Sequence, residues 1–163
     1  MAGYGTDEGL TAYLTDNGLT LPEGSPTPAA LRQRGSNYLD ATYGHRLTCS
    51  RPTGGIDQER AWPRTGHLVN CQPIPSDAIP QAWVRASYRA AWLEAITPGW
   101  GSATINPSQR VKRQKVDVIE REFFEGAGAE AGEGGIAPID AEIDGMVALF
   151  LCPDMAGLGI AVV

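Results

Sequence analysis

The sequence predicts a mainly α fold, a small bundle of about four helices with a long irregular segment at 45–78 and an extended C-terminal tail. Apolar residues recur at helical spacing in four separate stretches, and most of these stretches begin at residues suited to helix N-termini. The length of 163 residues allows one domain with a hydrophobic core. We therefore expect a single helical domain at 1–154 and a tail at 155–163.

The first two helices are predicted from their ends. Thr6 is suited to cap a short helix that ends at Gly18, and Thr27 followed by Pro28 is suited to begin a second helix. Gly44 stands where a left-handed residue commonly ends a helix. The apolar faces of these two helices consist of Leu10, Tyr13, Leu14, Leu31, Gly35, Tyr38, Leu39 and Thr42.

The third helix, 79–96, is predicted to lie at the centre of the bundle. Pro80 begins it, and its apolar residues form two stripes, so neighbours in the domain or adjacent subunits must cover both sides. Gly35 on the second helix indicates a close backbone approach by a neighbouring element. The first stripe is Ile79, Trp83, Ala86, Ala90 and Leu93, and the second is Val84, Tyr88, Ala91 and Ala95.

The remaining stretches are less regular. The segment 45–78 is too long for a featureless loop, and we expect it to pack through Trp62, Leu68, Val69 and Ile74, with 62–64 as an ordered turn. Residues 109–124 suit an extended strand or strand pair, although the spacing of their apolar residues also suits a helix. A last helix is predicted at 139–151, with an acidic, solvated side opposite its apolar face. That face consists of Ile139, Ile143, Met146, Val147 and Phe150.

Charge is distributed unevenly along a chain whose formal net charge is −6. Four cations without an acid form a basic cluster, and ten acids follow between Asp117 and Asp154. The basic cluster could contact phosphates, or it could be the solvated face of an edge strand, where charge prevents unwanted pairing. Binding to single strands also uses aromatic platforms, and the first ones after the cluster are Phe123 and Phe124. The basic cluster is Arg110, Lys112, Arg113 and Lys115.

The three cysteines predict reduced thiols rather than a disulfide framework. His45 and Cys49 share their spacing with His67 and Cys71, so these four side chains could hold zinc. The alternative is coincidence, with two surface histidines and two small buried thiols. We expect no metal, no other cofactor and no catalytic residue, since the sequence contains neither a Gly-x-Ser-x-Gly motif nor a phosphate-binding loop.

The C-terminal tail is apolar and uncharged from Met155 onward. Extended ends of this kind add a strand to a partner's sheet, or they remain disordered; we expect a docking tail. The start shows no secretory signal and no stretch suits a membrane span, so we expect a soluble protein made in a cytoplasm. The apolar docking residues are Leu158, Ile160, Val162 and Val163.

Five segments in the same order resemble a known family. The most specific contains Ala-Trp-Pro-Arg-Thr-Gly at 61–66, preceded by Gln58, and another contains Tyr-Leu-Asp at 38–40. Together they resemble the head–tail connector (adaptor) proteins of tailed bacteriophages, whose members are often labelled DnaT-like single-stranded-DNA-binding proteins. The resembling segments are 4–14, 31–44, 58–66, 79–91 and 111–123.

The resemblance implies a structural, non-enzymatic subunit at the neck of a virion, made in the host bacterial cytoplasm. Copies would form a ring, typically twelvefold, beneath the portal protein, and a downstream connector, stopper or tail-terminator protein would bind the other rim. DNA would pass through the ring without specific binding. Adjacent subunits would cover the second stripe of the third helix and the exposed aromatic residues. The residues expected in the core or at subunit interfaces are Trp62, Trp83, Tyr88 and Trp92. The alternative function is a single-stranded-DNA-binding module that uses the basic cluster.

Overall fold

The computed structural model describes residues 2–102, 114–116, 119–121 and 139–153. In these residues the chain forms four α-helices and three pairs of short antiparallel strands, which confirms the mainly α fold class. The helices are α1 (Asp7–Asp16), α2 (Pro28–Tyr43), α3 (Gln81–Ile96) and α4 (Ala141–Val147). The strand pairs are β1 (Arg51–Pro52) with β2 (Arg64–Thr65), β3 (Leu68–Val69) with β4 (Gln72–Pro73), and β5 (Gln114–Val116) with β6 (Ile119–Arg121).

Helices α2 and α3 form the centre of the fold and approach each other closely at Gly35. A Cβ atom on Gly35 would overlap the Ser87 carbonyl oxygen and would stand 2.7 Å from the Ala91 nitrogen. The close backbone approach predicted at this glycine is therefore confirmed. It brings the backbones of two 16-residue helices close together at this position.

Both apolar stripes of α3 are covered within the domain. Helix α2 packs on one side of α3, and α1 and α4 also pack against it. In the second stripe, Ala91 is fully buried, and Val84, Tyr88 and Ala95 are each at most 7% exposed. The expectation that adjacent subunits cover this stripe is therefore wrong, because three other helices of the same chain enclose it.

The predicted helix starts are confirmed, and one predicted end is wrong. The Thr6 hydroxyl accepts a hydrogen bond from Gly9 N at 3.0 Å, and the Thr27 hydroxyl accepts one from Ala30 N at 3.3 Å. Gly44 has a right-handed backbone (φ −58°, ψ −36°) because the chain continues directly into a 3-10 turn at Gly44–Arg46. A residue with a left-handed backbone is common where a helix stops, and here a 3-10 turn follows α2 without interruption.

The last helix is shorter than predicted. Helix α4 is followed by a 3-10 turn at Ala148–Phe150. The Asp140 carboxylate caps it by accepting hydrogen bonds from the backbone N–H groups of Glu142 and Ile143, both at 3.1 Å. Ile139 precedes this cap and is 59% exposed, so its assignment to the apolar face is wrong. Ile143 and Val147 are fully buried, and Met146 and Phe150 pack against the core.

The segment 45–78 is ordered around Trp62, as expected. The Trp62 side chain is 1% exposed, and its ring lies 6.0 Å from the Trp83 ring and 6.1 Å from the Phe150 ring. Ile74 is partly buried. Leu68 is 59% exposed, contrary to the prediction. His67, the residue directly before β3, takes the inward position instead.

Of the two alternatives for 109–124, the strand pair is correct where the structure describes the chain. Strands β5 and β6 are antiparallel, with Val116 opposite Ile119 and Lys115 opposite Glu120. The rest of 109–124 and the predicted docking tail at 155–163 lie outside the described residues. No helix among the described residues is both long and apolar enough to cross a bilayer.

Candidate functional site

The N-terminal segment that resembles the connector family is held by a buried arginine. Arg32 Nη1 donates to the carbonyl oxygens of Gly3, Tyr4 and Gly5 at 3.0, 3.2 and 2.6 Å, and Arg32 Nε contacts Asp7 Oδ1 at 2.7 Å. The planar guanidinium holds the backbone of residues 3–5 in one conformation directly before α1. The resembling segment 4–14 is therefore fixed by contacts within the chain.

A second buried network joins this segment to α2 and to the segment 45–78. The Tyr4 hydroxyl donates to Asp40 Oδ1 at 2.5 Å, and Arg60 Nη1 lies 3.1 Å from Asp40 Oδ2. The Arg60 guanidinium also lies 5.6 Å from the centre of the Tyr4 ring. Burial raises the pKa of the Asp40 carboxyl, while the bonds from Tyr4 and Arg60 act in the opposite direction. Three segments far apart in sequence meet at this carboxylate.

The most specific resembling motif, 58–66, forms an internal frame. Gln58 Nε2 donates to the carbonyl oxygens of Arg60 and Pro63 at 2.7 and 2.9 Å, and Gln58 Oε1 accepts from Gly54 N at 2.8 Å. Arg64 Nη2 donates to the carbonyl oxygens of Leu47 and Ser50 at 2.8 and 2.6 Å. These side chains supply hydrogen bonds to backbone carbonyl oxygens that are not paired within a helix or a sheet.

His67 lies in the same frame and is 1% exposed. Its Nδ1 lies 2.8 Å from the Ser50 hydroxyl, which also accepts a hydrogen bond from Arg64 Nε at 2.6 Å. Burial lowers the pKa of His67, the charge of Arg64 lowers it further, and a hydrogen bond with the backbone of Phe150 opposes both effects. The ring therefore serves as a neutral bridge between the frame and the turn that follows α4.

The four zinc candidates do not form a metal site. Cys49 is joined by a disulfide bond to Cys152, His67 is bonded to Ser50, and Cys71 is a free, exposed thiol. No group of three or more potential metal ligands occurs in the described ranges. The coincidence alternative is also wrong in detail, because His67 is buried and Cys49 is exposed.

The disulfide contradicts the prediction of reduced thiols. The Cα atoms of Cys49 and Cys152 are 5.7 Å apart, although 103 positions separate them in the sequence. Cys152 N donates to the Arg46 carbonyl oxygen at 3.0 Å, which holds the segment after the 3-10 turn at 148–150 against the 3-10 turn at 44–46. An odd number of cysteines leaves one thiol over and does not prevent a single pair.

Three of the four aromatic candidates belong to the core. Trp62, Trp83 and Tyr88 are at most 6% exposed. Trp92 is partly exposed, but its Nε1 donates to the Thr20 carbonyl oxygen at 3.2 Å and its ring lies 4.8 Å from the Arg89 guanidinium. All four residues are therefore in contact with other parts of their own chain.

Most arginines of the described domain face inward or contact carboxylates. Arg32, Arg60 and Arg64 are buried. Arg34 contacts Glu94 at 3.3 Å, and Arg89 contacts both Asp140 and Glu142. In the predicted basic cluster, Arg110, Lys112 and Arg113 lie outside the described residues, whereas Lys115 stands opposite Glu120 in the β5–β6 pair.

The exposed apolar side chains of the described residues are aliphatic. Leu68 on β3 and Leu149 on the 3-10 turn at 148–150 are 59% and 64% exposed, and these two elements pack against each other. We call the surface around Leu68 and Leu149 the aliphatic rim. Ile56, at the tip of a 3-10 turn at Gly55–Asp57, is 99% exposed. Ile96 and Ile139 complete the set of large exposed apolar residues.

Comparison with known proteins finds one family. The family described as "Putative DnaT-like ssDNA binding protein" matches residues 3–160, nearly the whole chain, and the protein belongs to this family. No curated protein and no solved structure matches. The description of the family concerns single-stranded DNA, so it favours the nucleic-acid alternative over the connector hypothesis.

Proposed function

We propose that this protein is a non-enzymatic structural subunit of a tailed-phage virion, a head–tail connector. Copies would assemble as a ring beneath the portal protein and bind the next connector, stopper or tail-terminator protein on the other rim. This function is suggested by the five segments that resemble connector proteins and occur in the same order along the sequence. The observation that carries the proposal is that most arginine side chains of the described domain are buried or contact carboxylates, so few are accessible to DNA.

This distribution of charge suits a conduit better than a DNA-binding surface. A protein gains affinity for DNA by neutralising phosphates with accessible Lys and Arg. In residues 2–102 and 139–153 all basic side chains are arginines apart from the two histidines, and Arg32, Arg60 and Arg64 are committed to buried hydrogen bonds. The large exposed apolar residues of the same ranges include no aromatic ring on which a base could stack.

Exposed aliphatic residues are the surfaces through which we expect the protein to bind its partners. Leu149 of the aliphatic rim lies three positions before Cys152 in the sequence and shortly before the apolar tail at 155–163. Ile56 projects from a turn that Gln58 braces through Gly54. Exposed apolar side chains of this kind contribute favourable free energy when a partner buries them. A ring requires two different surfaces on each copy, and the rim and the Ile56 turn are the two we assign to that role.

The tail is tested by deleting Met155–Val163 from the phage gene. The proposal expects particles that package DNA but fail to retain it or to join tails. A full-length variant in which Leu158, Ile160, Val162 and Val163 are all serine separates apolar docking from chain length, and it should reproduce the defect. Normal infectivity of both variants would contradict the docking role.

The second candidate function is binding of single-stranded DNA, which the family description favours. The basic cluster supplies four cations on and before β5, and Lys115 lies on β5 itself. Cations on and beside an extended strand could contact a phosphate backbone. In this candidate function, DNA binds at the basic cluster and the helical domain does not contact it.

Fluorescence anisotropy with a labelled oligothymidylate at low salt separates the two candidates. DNA binding through the cluster predicts micromolar or tighter affinity that falls steeply with salt. Replacing Arg110, Lys112, Arg113 and Lys115 with alanine should abolish it, whereas alanine at the exposed Arg51 and Arg85 serves as the matched control. Absence of binding by the unmodified protein at low salt would eliminate this candidate.

A further inference from the structure

We infer that Cys49 and Cys152 form a redox-controlled clasp for the C-terminal element, open in the reducing compartment where the chain is made and closed after release. The statement about compartments rests on the proposed function, whereas the clasp itself rests on the geometry of the described domain. Thiols in a bacterial cytoplasm are kept reduced, and disulfides persist in oxidising surroundings. A virion subunit experiences both environments in turn.

Noncovalent contacts place the two sulfur atoms before any bond forms. Ile143 and Val147 are fully buried, so α4 is held on the core by its apolar face. Beyond α4, the Cys152 N–H group is bonded to the Arg46 carbonyl, and the Phe150 ring packs against Trp62. None of these contacts uses a cysteine side chain. The reduced chain should therefore fold and hold both thiols in position.

The clasp acts on the end of the domain rather than on its centre. Cys49 follows the 3-10 turn at Gly44–Arg46, and Cys152 is the second residue after the 3-10 turn at Ala148–Phe150. Closing the bond therefore fixes the aliphatic rim and the origin of the tail to the α2 side of the fold. Opening it leaves this end held by the short α4 and a few contacts.

Closure proceeds by exchange with a small oxidised disulfide, such as oxidised glutathione. The thiolate of the exposed Cys49 attacks one sulfur of that disulfide and releases one small thiol. The thiolate of Cys152 then attacks the Cys49 sulfur, forms the internal bond and releases the second small thiol. Two protein thiols are oxidised and one small disulfide is reduced to two thiols, with both protons passing to the released thiolates or to water.

The test uses the full-length protein with Cys71→Ser, which removes the free exposed thiol and prevents intermolecular exchange. Hydrogen exchange of the amides at 143–152 is compared after treatment with oxidised glutathione and after reduction. Closing a loop of about 100 residues predicts that reduction accelerates exchange by roughly 30-fold to 1,000-fold in this stretch. Amides in the middle of α2 and α3 exchange through global unfolding, which the same bond also opposes, so they serve as the reference, and the clasp predicts a larger acceleration at 143–152 than at these amides.

The double variant Cys49→Ser/Cys152→Ala, made in the same background, should exchange like the reduced protein under both conditions. Equal exchange in oxidised and reduced protein would overturn the clasp, as would thiols that remain open to alkylation after oxidant. Alkylation during lysis should find both thiols free in the cytoplasm, and a bond already formed there would overturn the redox control. Absence of the protein from particles would refute the proposed function and leave the exchange result unaffected.

Discussion

Gly35 is the residue at which α2 and α3 come closest, and it gives the sharpest test of their packing. Gly35→Ala should destabilise the protein by about 1–3 kcal/mol, because the added methyl meets the Ser87 carbonyl and the Ala91 backbone. Urea denaturation measures the change. Gly145→Ala in α4 is the matched control, since nothing lies near that position, and it should be neutral or stabilising by up to about 1 kcal/mol. A Gly35→Ala variant as stable as the parent would contradict the contact.

Arg64 has a structural role that its charge alone does not predict. Its guanidinium donates to the carbonyl oxygens of Leu47, Ser50 and Ala61, so removing it takes a donor from one buried and two partly buried acceptors. We expect Arg64→Met to cost about 2–4 kcal/mol in the free energy of unfolding, because a buried acceptor that loses its donor costs about 1–3 kcal/mol and a partly buried one costs less.

Arg64→Lys should recover little of this stability, because one ammonium group cannot reproduce the geometry of the fork. Arg51→Met, at an exposed position on β1, is the control and should change stability by less than about 0.5 kcal/mol. Full rescue by lysine, measured by the same denaturation, would show that charge rather than geometry matters at this position.

His67 makes stability depend on pH in a defined direction. Its pKa is lower in the folded protein than in the unfolded chain, so the unfolded chain binds the proton first as the pH falls. The stability contributed by neutral His67 is therefore present above its unfolded pKa of about 6.5 and is lost progressively below it. The urea concentration at the midpoint of unfolding should decrease as the pH is lowered from about 7.5 to about 5.5.

Replacing His67 with glutamine should reduce that slope. The same slope in the parent and in the His67 variant would assign the pH dependence to other groups.

At the scale of elements, Asp140 holds the start of the short helix α4 in two ways. It caps the helix, and it contacts Arg89 of α3 at 3.3 Å. Asp140→Ala removes both interactions and should cost about 1–2 kcal/mol, whereas Asp140→Asn keeps a capping oxygen and should lose less. Denaturation measures both variants. Equal losses in the two variants would mean that the ion pair, and not the cap, holds α4.

The sequence predicts the helices well because local chemistry determines where they begin. Thr6, Thr27 and Pro28 act at the helix starts as expected, and Gly35 marks the approach of α3. The two stripes of α3 are also correctly identified, but their partners are not. Which surface covers a stripe depends on how the chain returns on itself, and no local pattern contains that information.

The frame around the motif 58–66 was beyond prediction for the same reason. Arg32, Arg60 and Arg64 look like surface residues in a sequence, since arginine is seldom fully buried unless it is paired. Their partners are mostly backbone carbonyls, which carry no sequence signal. The Cys49–Cys152 pair likewise depends on a contact between distant segments, the hydrogen bond from Cys152 N to the Arg46 carbonyl oxygen in the 3-10 turn after α2. Such groups become visible only when the fold brings distant segments together.

At the scale of the whole molecule, the burial of α3 within its own chain changes the basis for expecting a ring. Among the described residues, the other three helices, α1, α2 and α4, pack around α3 and share one hydrophobic core with it. Assembly would therefore join folded subunits through the aliphatic rim, the Ile56 turn and the tail. Interfaces between folded subunits can form late and in order, which suits a protein added to a portal that has already assembled.

The overall charge is consistent with this role. The chain carries 19 acidic residues against 13 lysines and arginines, and a ring of copies would carry that excess many times over. An acidic lumen repels DNA and would let it pass without adhering. The basic cluster near β5 is the exception, and it would serve contacts with an acidic protein surface if the chain is a connector.

Electron microscopy of purified particles from a phage that encodes this chain would locate its copies. We expect a ring of copies between the portal and the tail, with the described helical domain fitting the density as a rigid unit. Particles whose neck contains no copy of this chain, as judged from the map and from mass spectrometry of the same preparation, would contradict this expectation.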